Sequence, residues 1–316
     1  MLSGNAGYNP LPPKKAGPSV EASSMGKHPI LVVAAILLGA SAACQSPPAP
    51  KQPAADLGPR PLPAESSFNP LGKIEKSLVF APSRYPAGDW RPAGLAFEDA
   101  WFAAVDGTRL HGWYVPLPQP RAVVLFCHGN GGNVALWADV LRILHDRMGV
   151  TAMGFDYRGY GRSQGTPSEA GVLADARAAR TWLARRAGIA ENRIVLMGRS
   201  LGGAVAVDLA ADGARGLVLE STFTSMPEVG HAALPWLPVR TVMRTQLNSL
   251  AKIRNYHGPL LQSHGTADRL IPYAMGRQLF EAANEPKQFV AIPGGDHNDP
   301  QTDEYYAALF AFLGKP

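Results

Sequence analysis

Residues 193–211 read RIVLMGRSLGGAVAVDLAA. An apolar run, RIVLM, enters Gly198-Arg199-Ser200-Leu201-Gly202, and small apolar residues at helical spacing leave it. A serine lifted onto a sharp strand-to-helix turn takes strained backbone angles. Its neighbours must be small for the chain to pass, and Gly198, Gly202 and Gly203 supply that. The turn sets the Ser200 hydroxyl in the open above a strand end, beside the amides that begin a helix.

The same alternation extends outward from this point. Residues 95–105 and 110–115 flank Asp106-Gly107, a hairpin signal. Short apolar runs follow at 122–127, 150–156, 193–197, 216–220, 259–263 and 288–292. Helical patterns fill residues 133–148, 168–187, 201–211, 273–283 and 302–313. Runs apolar on both faces and separated by helices predict an α/β fold. Its sheet has eight strands, is mostly parallel and carries helices on both sides. The two hairpin strands are the antiparallel part. One domain over residues 71–316 accounts for all of these elements.

A serine hydroxyl is a weak nucleophile and needs a base that an acid holds in place. Both stand downstream, each after a strand. Asp268 follows residues 259–263 in HGTAD, and His297 follows residues 288–292 in PGGDH. Strand ends on one edge of a parallel sheet converge in space. Ser200, Asp268 and His297 are therefore the expected catalytic set. Asp296 and Asp299 are rival acids, with Asp296 too close in sequence to reach the His297 ring. His264 is expected to brace the Asp268 loop. A tetrahedral intermediate needs amide donors. The Leu201 N–H is one, and the Asn130 N–H in the glycine-rich loop HGNGGN at 128–133 is the other. His128 is expected to support that loop. No cofactor or metal is expected.

Five stretches identify the chain as similar to the α/β-hydrolase superfamily. They are HGNGGN at 128–133, DYRGYGRSQGTPSE at 156–169, GRSLGG at 198–203, HGTADRLIP at 264–272 and GGDHND at 294–299. The small-lidded branch is resembled most, with the bud-emergence-type hydrolases and the abhydrolase-domain palmitoyl-protein thioesterases. That resemblance implies Ser200 as nucleophile, Asp268 as acid and His297 as base. It implies that the Asp156 stretch organises the active-site edge, and it places a short lid at about residues 222–258. The lid reads either as ordinary packing or as an apolar gate, with Arg240, Arg244, Lys252 and Arg254 facing lipid phosphates. The implied activity is hydrolysis of a carboxylic ester or thioester on a small-molecule or lipid-like acyl substrate. An amidase or peptidase on the same residues, and a binding lipoprotein without catalysis, are the alternatives.

Composition narrows the rest. Of 316 residues, 46% are hydrophobic and 17% charged, a globular balance. The net charge of +5 comes without a long basic run, which disfavours nucleic acid as a partner. Two cysteines exclude a disulfide framework. Residues 30–40, ILVVAAILLGA, are too few to cross a bilayer, which takes about 20. Lys27 precedes them, and small residues and Cys44 follow. This layout resembles a bacterial lipoprotein signal over residues 1–43. It implies lipidation at Cys44 and a place in the cell envelope, with a cleaved signal and a periplasmic or secreted product as the alternative. Met25, directly before the compact part of the signal, is read as the initiator. Residues 44–70 are proline-rich and form a tether.

Overall fold

The structure is a computed structural model that describes residues 75–76 and 79–315. The signal region, Met25, Cys44 and the tether lie outside the described residues.

Eight strands form one sheet. They are β1 (Glu98–Ala103), β2 (Arg109–Val115), β3 (Val123–Cys127), β4 (Thr151–Asp156), β5 (Val195–Arg199), β6 (Gly216–Glu220), β7 (Leu260–Gly265) and β8 (Lys287–Ile292). The spatial order is β8-β7-β6-β5-β3-β4-β2-β1. β1 pairs with β2, and β2 with β4, antiparallel; every other pairing is parallel. The expected α/β sheet is the one found.

Alternate residues of the central strands face opposite layers. Leu125 and Leu196 join one core with Val172, Ala176, Ala179 and Leu183 of helix α2 (Glu169–Ala187) and Val205 of helix α3 (Leu201–Ala210). Val124, Phe126, Val195 and Met197 join the other, with Leu141 of helix α1 (Ala138–Arg142) and Tyr305, Leu309 and Phe312 of helix α8 (Asp303–Leu313). Each large apolar side chain so buried contributes about 1.5–3 kcal/mol. α2 begins where the Ser168 hydroxyl accepts from the Gly171 amide. It ends at Gly188, whose φ of 67° takes the left-handed turn that stops a helix.

Three local features depart from the sequence pattern. Residues 133–148, expected as one helix, break into a 3-10 turn (Val134–Trp137), α1, and a π-helical turn (Ile143–Arg147). The Asp156 carboxylate accepts from the Val134 amide at 2.7 Å, and the Asn133 side chain caps Ala135 at 3.0 Å, so the first turn is set from outside the helix. A two-residue parallel ladder joins Ala81–Pro82 to Gly131–Gly132 inside the HGNGGN loop. The lid region holds three short helices, α4 (Met226–Ala233), α5 (Val239–Val242) and α6 (Ser249–Ile253). Helix α7 (Tyr273–Ala282) follows β7.

Candidate active site

The Ser200 turn is built by close packing. Ser200 has φ 53° and ψ −120°, a conformation that L-residues rarely take and that costs about 1–3 kcal/mol. The surroundings hold it there. Its amide donates to the Glu220 carbonyl at 2.9 Å, and the Thr222 hydroxyl donates to its carbonyl at 2.8 Å. A Cβ on Gly202 would lie 1.9 Å from the Cys127 carbonyl oxygen, so the start of α3 presses directly on the end of β3. That contact brings the 128–133 loop beside Leu201.

The structure brings Ser200, His297 and Asp268 together at the carboxyl edge of the sheet. His297 Nε2 lies 3.1 Å from Ser200 Oγ, and His297 Nδ1 donates to Asp268 Oδ2 at 2.8 Å. Asp268 and His297 are buried, while Ser200 is partly open. The other Asp268 oxygen accepts from the Leu270 and Ile271 amides at 2.9 and 2.8 Å. Burial alone would push this carboxyl up. Hydrogen bonds from His264, His297 and the Ile271 amide outweigh it and hold the group well below the usual carboxylate range. Asp268 is therefore a fixed negative charge behind the imidazole.

The neighbouring groups take supporting places. Buried His264 donates to the Ile271 carbonyl at 2.9 Å, behind the Asp268 loop. Asp296 points away from the His297 ring. It accepts from the Arg269 and His297 amides at 2.9 and 2.8 Å, and the Arg269 amide and guanidinium hold its pKa at about 2. Asp299 accepts from the Asp296 amide. Neither rival acid meets Nδ1.

On the other side, Asn130 follows β3 and Leu201 opens α3. The Asn130 side-chain oxygen accepts from the Ala81 amide and the Tyr160 hydroxyl at 2.9 and 3.0 Å, which pins this loop. Tyr157 donates to the His128 carbonyl at 3.0 Å. The His128 ring donates to the Gly129 carbonyl at 2.7 Å, and burial holds its pKa low, so it sits neutral within the loop. Cys127 is buried beneath, its thiol pushed up to about 12 by burial. Asp156 meets His111 as well as Val134, so the DYRG stretch ties the antiparallel strands to the HGNGGN loop.

In the lid, Arg240 is paired with Glu228 through two 2.7 Å contacts, and Lys252 with Asp208. Those two of the four expected phosphate-facing cations are engaged within the protein. Trp236 stands 68% exposed. Among the described residues no helix is long and apolar enough to cross a membrane. None of their His, Cys, Asp and Glu side chains form a group of three or more that could hold a metal.

Sequence reasoning missed a second set of residues. Arg199, directly before the serine, donates to the His297 carbonyl at 2.7 Å. Its guanidinium also lies 3.8 Å from buried Glu220 and 5.7 Å from the centre of the Trp137 ring. Tyr305 donates to Glu220 from α8. The one signal in the sequence was a charged side chain inside an otherwise small and apolar turn.

Comparison with known proteins agrees with this fold. The family described as serine aminopeptidase, S33, matches residues 118–251. An uncharacterized protein of Mycobacterium tuberculosis is 41% identical over 233 residues, covering 72% of this chain and 82% of that protein. The α/β-hydrolase domain-containing protein WAV2 of Arabidopsis thaliana is 33% identical over 275 residues, covering 78% and 89%. Protein bem46 of Schizosaccharomyces pombe is 28% identical over 264 residues, covering 78% and 87%. Among solved structures, a Pyrococcus furiosus esterase superposes with a TM-score of 0.62 at 21% identity, over 74% of this chain and 96% of that one. At that identity the likeness speaks for the fold alone.

Proposed function

Since this chain belongs to the α/β-hydrolase family, we propose that it is a serine hydrolase cleaving a carboxylic ester or thioester through an acyl-enzyme. The observation that carries the reading is the unbroken line from Asp268 through His297 to Ser200, at 2.8 and 3.1 Å. Ser200 attacks the acyl carbonyl as His297 Nε2 takes its proton. Asp268, charged and held by two amides, keeps Nδ1 protonated and stabilises the imidazolium. The Leu201 and Asn130 amides receive the oxyanion. His297 then protonates the departing alcohol or thiol. Water, deprotonated by His297, attacks the acyl-enzyme and releases the acid. Substrate enters beneath the short lid, and exposed Trp236 favours an apolar, lipid-like acyl group.

The description of the matching family favours a second reading, an amidase or peptidase using the same three residues. Turnover of p-nitrophenyl esters of two to sixteen carbons, abolished in Ser200→Ala, supports the esterase. Preference for amides over matched esters supports the second reading. A folded protein inert to both substrates and to a fluorophosphonate probe supports a binding role instead.

The proposal extends to the cell envelope through Cys44. Incorporation of a fatty-acid analogue that disappears in Cys44→Ser supports a lipid anchor. A soluble, unlabelled protein supports a cleaved signal.

A further inference from the structure

We propose that Arg199 is a positioning residue that fixes the base His297 relative to the nucleophile. This deepens the proposed function and rests on reading Ser200, His297 and Asp268 as the triad. The asymmetry of the His297 loop carries the inference. On the acid side the loop is bolted down repeatedly. Ala267 donates to the Gly295 carbonyl, Thr266 to the Ile292 carbonyl, and the Gly294 amide to the Thr266 hydroxyl, while Arg269 grips Asp296. On the nucleophile side, among the described residues, two hydrogen bonds join residues 293–299 to the turn at 198–203. One is the reactive Ser200–His297 pair, which must break and re-form during turnover. The other runs from the Arg199 guanidinium to the His297 carbonyl at 2.7 Å.

Arg199 suits this task because it is itself fixed. Its side chain is 11% exposed, and an unpaired buried cation is expensive. Glu220, 4% exposed, lies at 3.8 Å, beyond hydrogen-bond length, and Tyr305 donates to that same carboxylate. One guanidinium edge therefore faces its counter-charge while the other is spent on His297. The face lies over Trp137, which packs against Gly129 of the HGNGGN loop: a Cβ on Gly129 would come within 3.3 Å of the indole. Arg199 thus touches the base loop and the wall of the oxyanion loop, and it is covalently adjacent to Ser200. A shift of about 1 Å in such a constellation costs up to roughly 100-fold in rate.

The test compares Arg199→Met, Arg199→Ala, Arg199→Lys and Glu220→Gln with wild type in the full chain. We expect kcat to fall about 10- to 100-fold in Arg199→Met with KM within about twofold, as loss of geometry without loss of binding requires. Arg199→Lys recovers part of the rate, and millimolar guanidinium added to Arg199→Ala recovers more. Glu220→Gln is the milder lesion and guards against a variant that fails to fold. The low-field proton resonance of His297 Nδ1–H supplies a readout that needs no substrate. It is expected to broaden or vanish in Arg199→Met and to persist in Arg199→Lys. A folded Arg199→Met with wild-type kcat and an unchanged resonance overturns the proposal. If wild type turns over no substrate yet its resonance depends on Arg199, the hydrolase reading fails and the positioning role stands.

Discussion

The Ser200 turn and the lid lie over the same edge of the sheet, yet they are built on opposite principles. Around Ser200 every position is fixed by contact. Glycine backbones touch carbonyls, α3 is buried along its whole length, and the serine is held at φ 53°. From residue 226 to 253 the chain makes three helices of eight residues or fewer, leaving Trp236 and Val242 exposed. The serine turn is packed into one geometry and the lid is more open; in the proposed function the first holds the reaction chemistry and the second the substrate choice.

The largest effects are expected within the turn. Ser200→Ala is expected to lower kcat by at least about 10⁴-fold, measured with ester substrates, because no other group supplies the nucleophile. Ser200→Gly should be equally inactive yet more stable by about 1–2 kcal/mol in denaturant melts, since glycine takes a positive φ without strain. A Ser200→Gly protein less stable than wild type would show that the turn is not strained. Gly202→Ala must push α3 off β3. It is expected to cost more than about 4 kcal/mol or to leave no folded protein, read by circular dichroism.

Asp268→Asn comes next, with two separable effects. Activity should fall about 10⁴-fold as the imidazole loses its orienting charge. Stability should be lost at neutral pH, and the difference from wild type should close as pH falls. The Asp268 pKa is lowered on folding, so its contribution is fully present above the unfolded value of about 4 and is lost as pH falls through the lower folded value. Urea melts between pH 2 and 5 should therefore show a steeper acid decline in wild type than in Asp268→Asn. The smallest effect belongs to the lid. Trp236→Ala should leave stability within about 0.5 kcal/mol and kcat unchanged, and raise KM only for long-chain esters. An equal loss for two-carbon and sixteen-carbon esters would erase the proposed division of labour.

The parts legible beforehand were those with a local cause. Strand–turn–helix at 193–211, the order Ser200, Asp268, His297 and the glycine loop at 128–133 each follow from neighbours in the chain. The broken helix at 134–147 was illegible because its first amide is claimed by Asp156, 22 residues away. The ladder of Ala81–Pro82 on Gly131–Gly132 was hidden for the same reason, as two-residue strands carry no pattern. Arg199 was passed over because its partners lie 98 residues downstream in one case and in α8, by way of Glu220, in the other.

The chain alone set the layer architecture, since hydrophobic period and glycine placement act within a few residues. It also determined which three side chains end at the carboxyl edge of the sheet. How those side chains are aimed was left to long-range packing. Packing gave Arg199 the His297 carbonyl, turned Asp296 to the Arg269 amide and guanidinium, and paired Arg240 and Lys252 within the protein. Such choices depend on distances between loops far apart in the chain. The sequence names the groups that compete for a partner, but the packed sheet sets which of them comes within 3 Å.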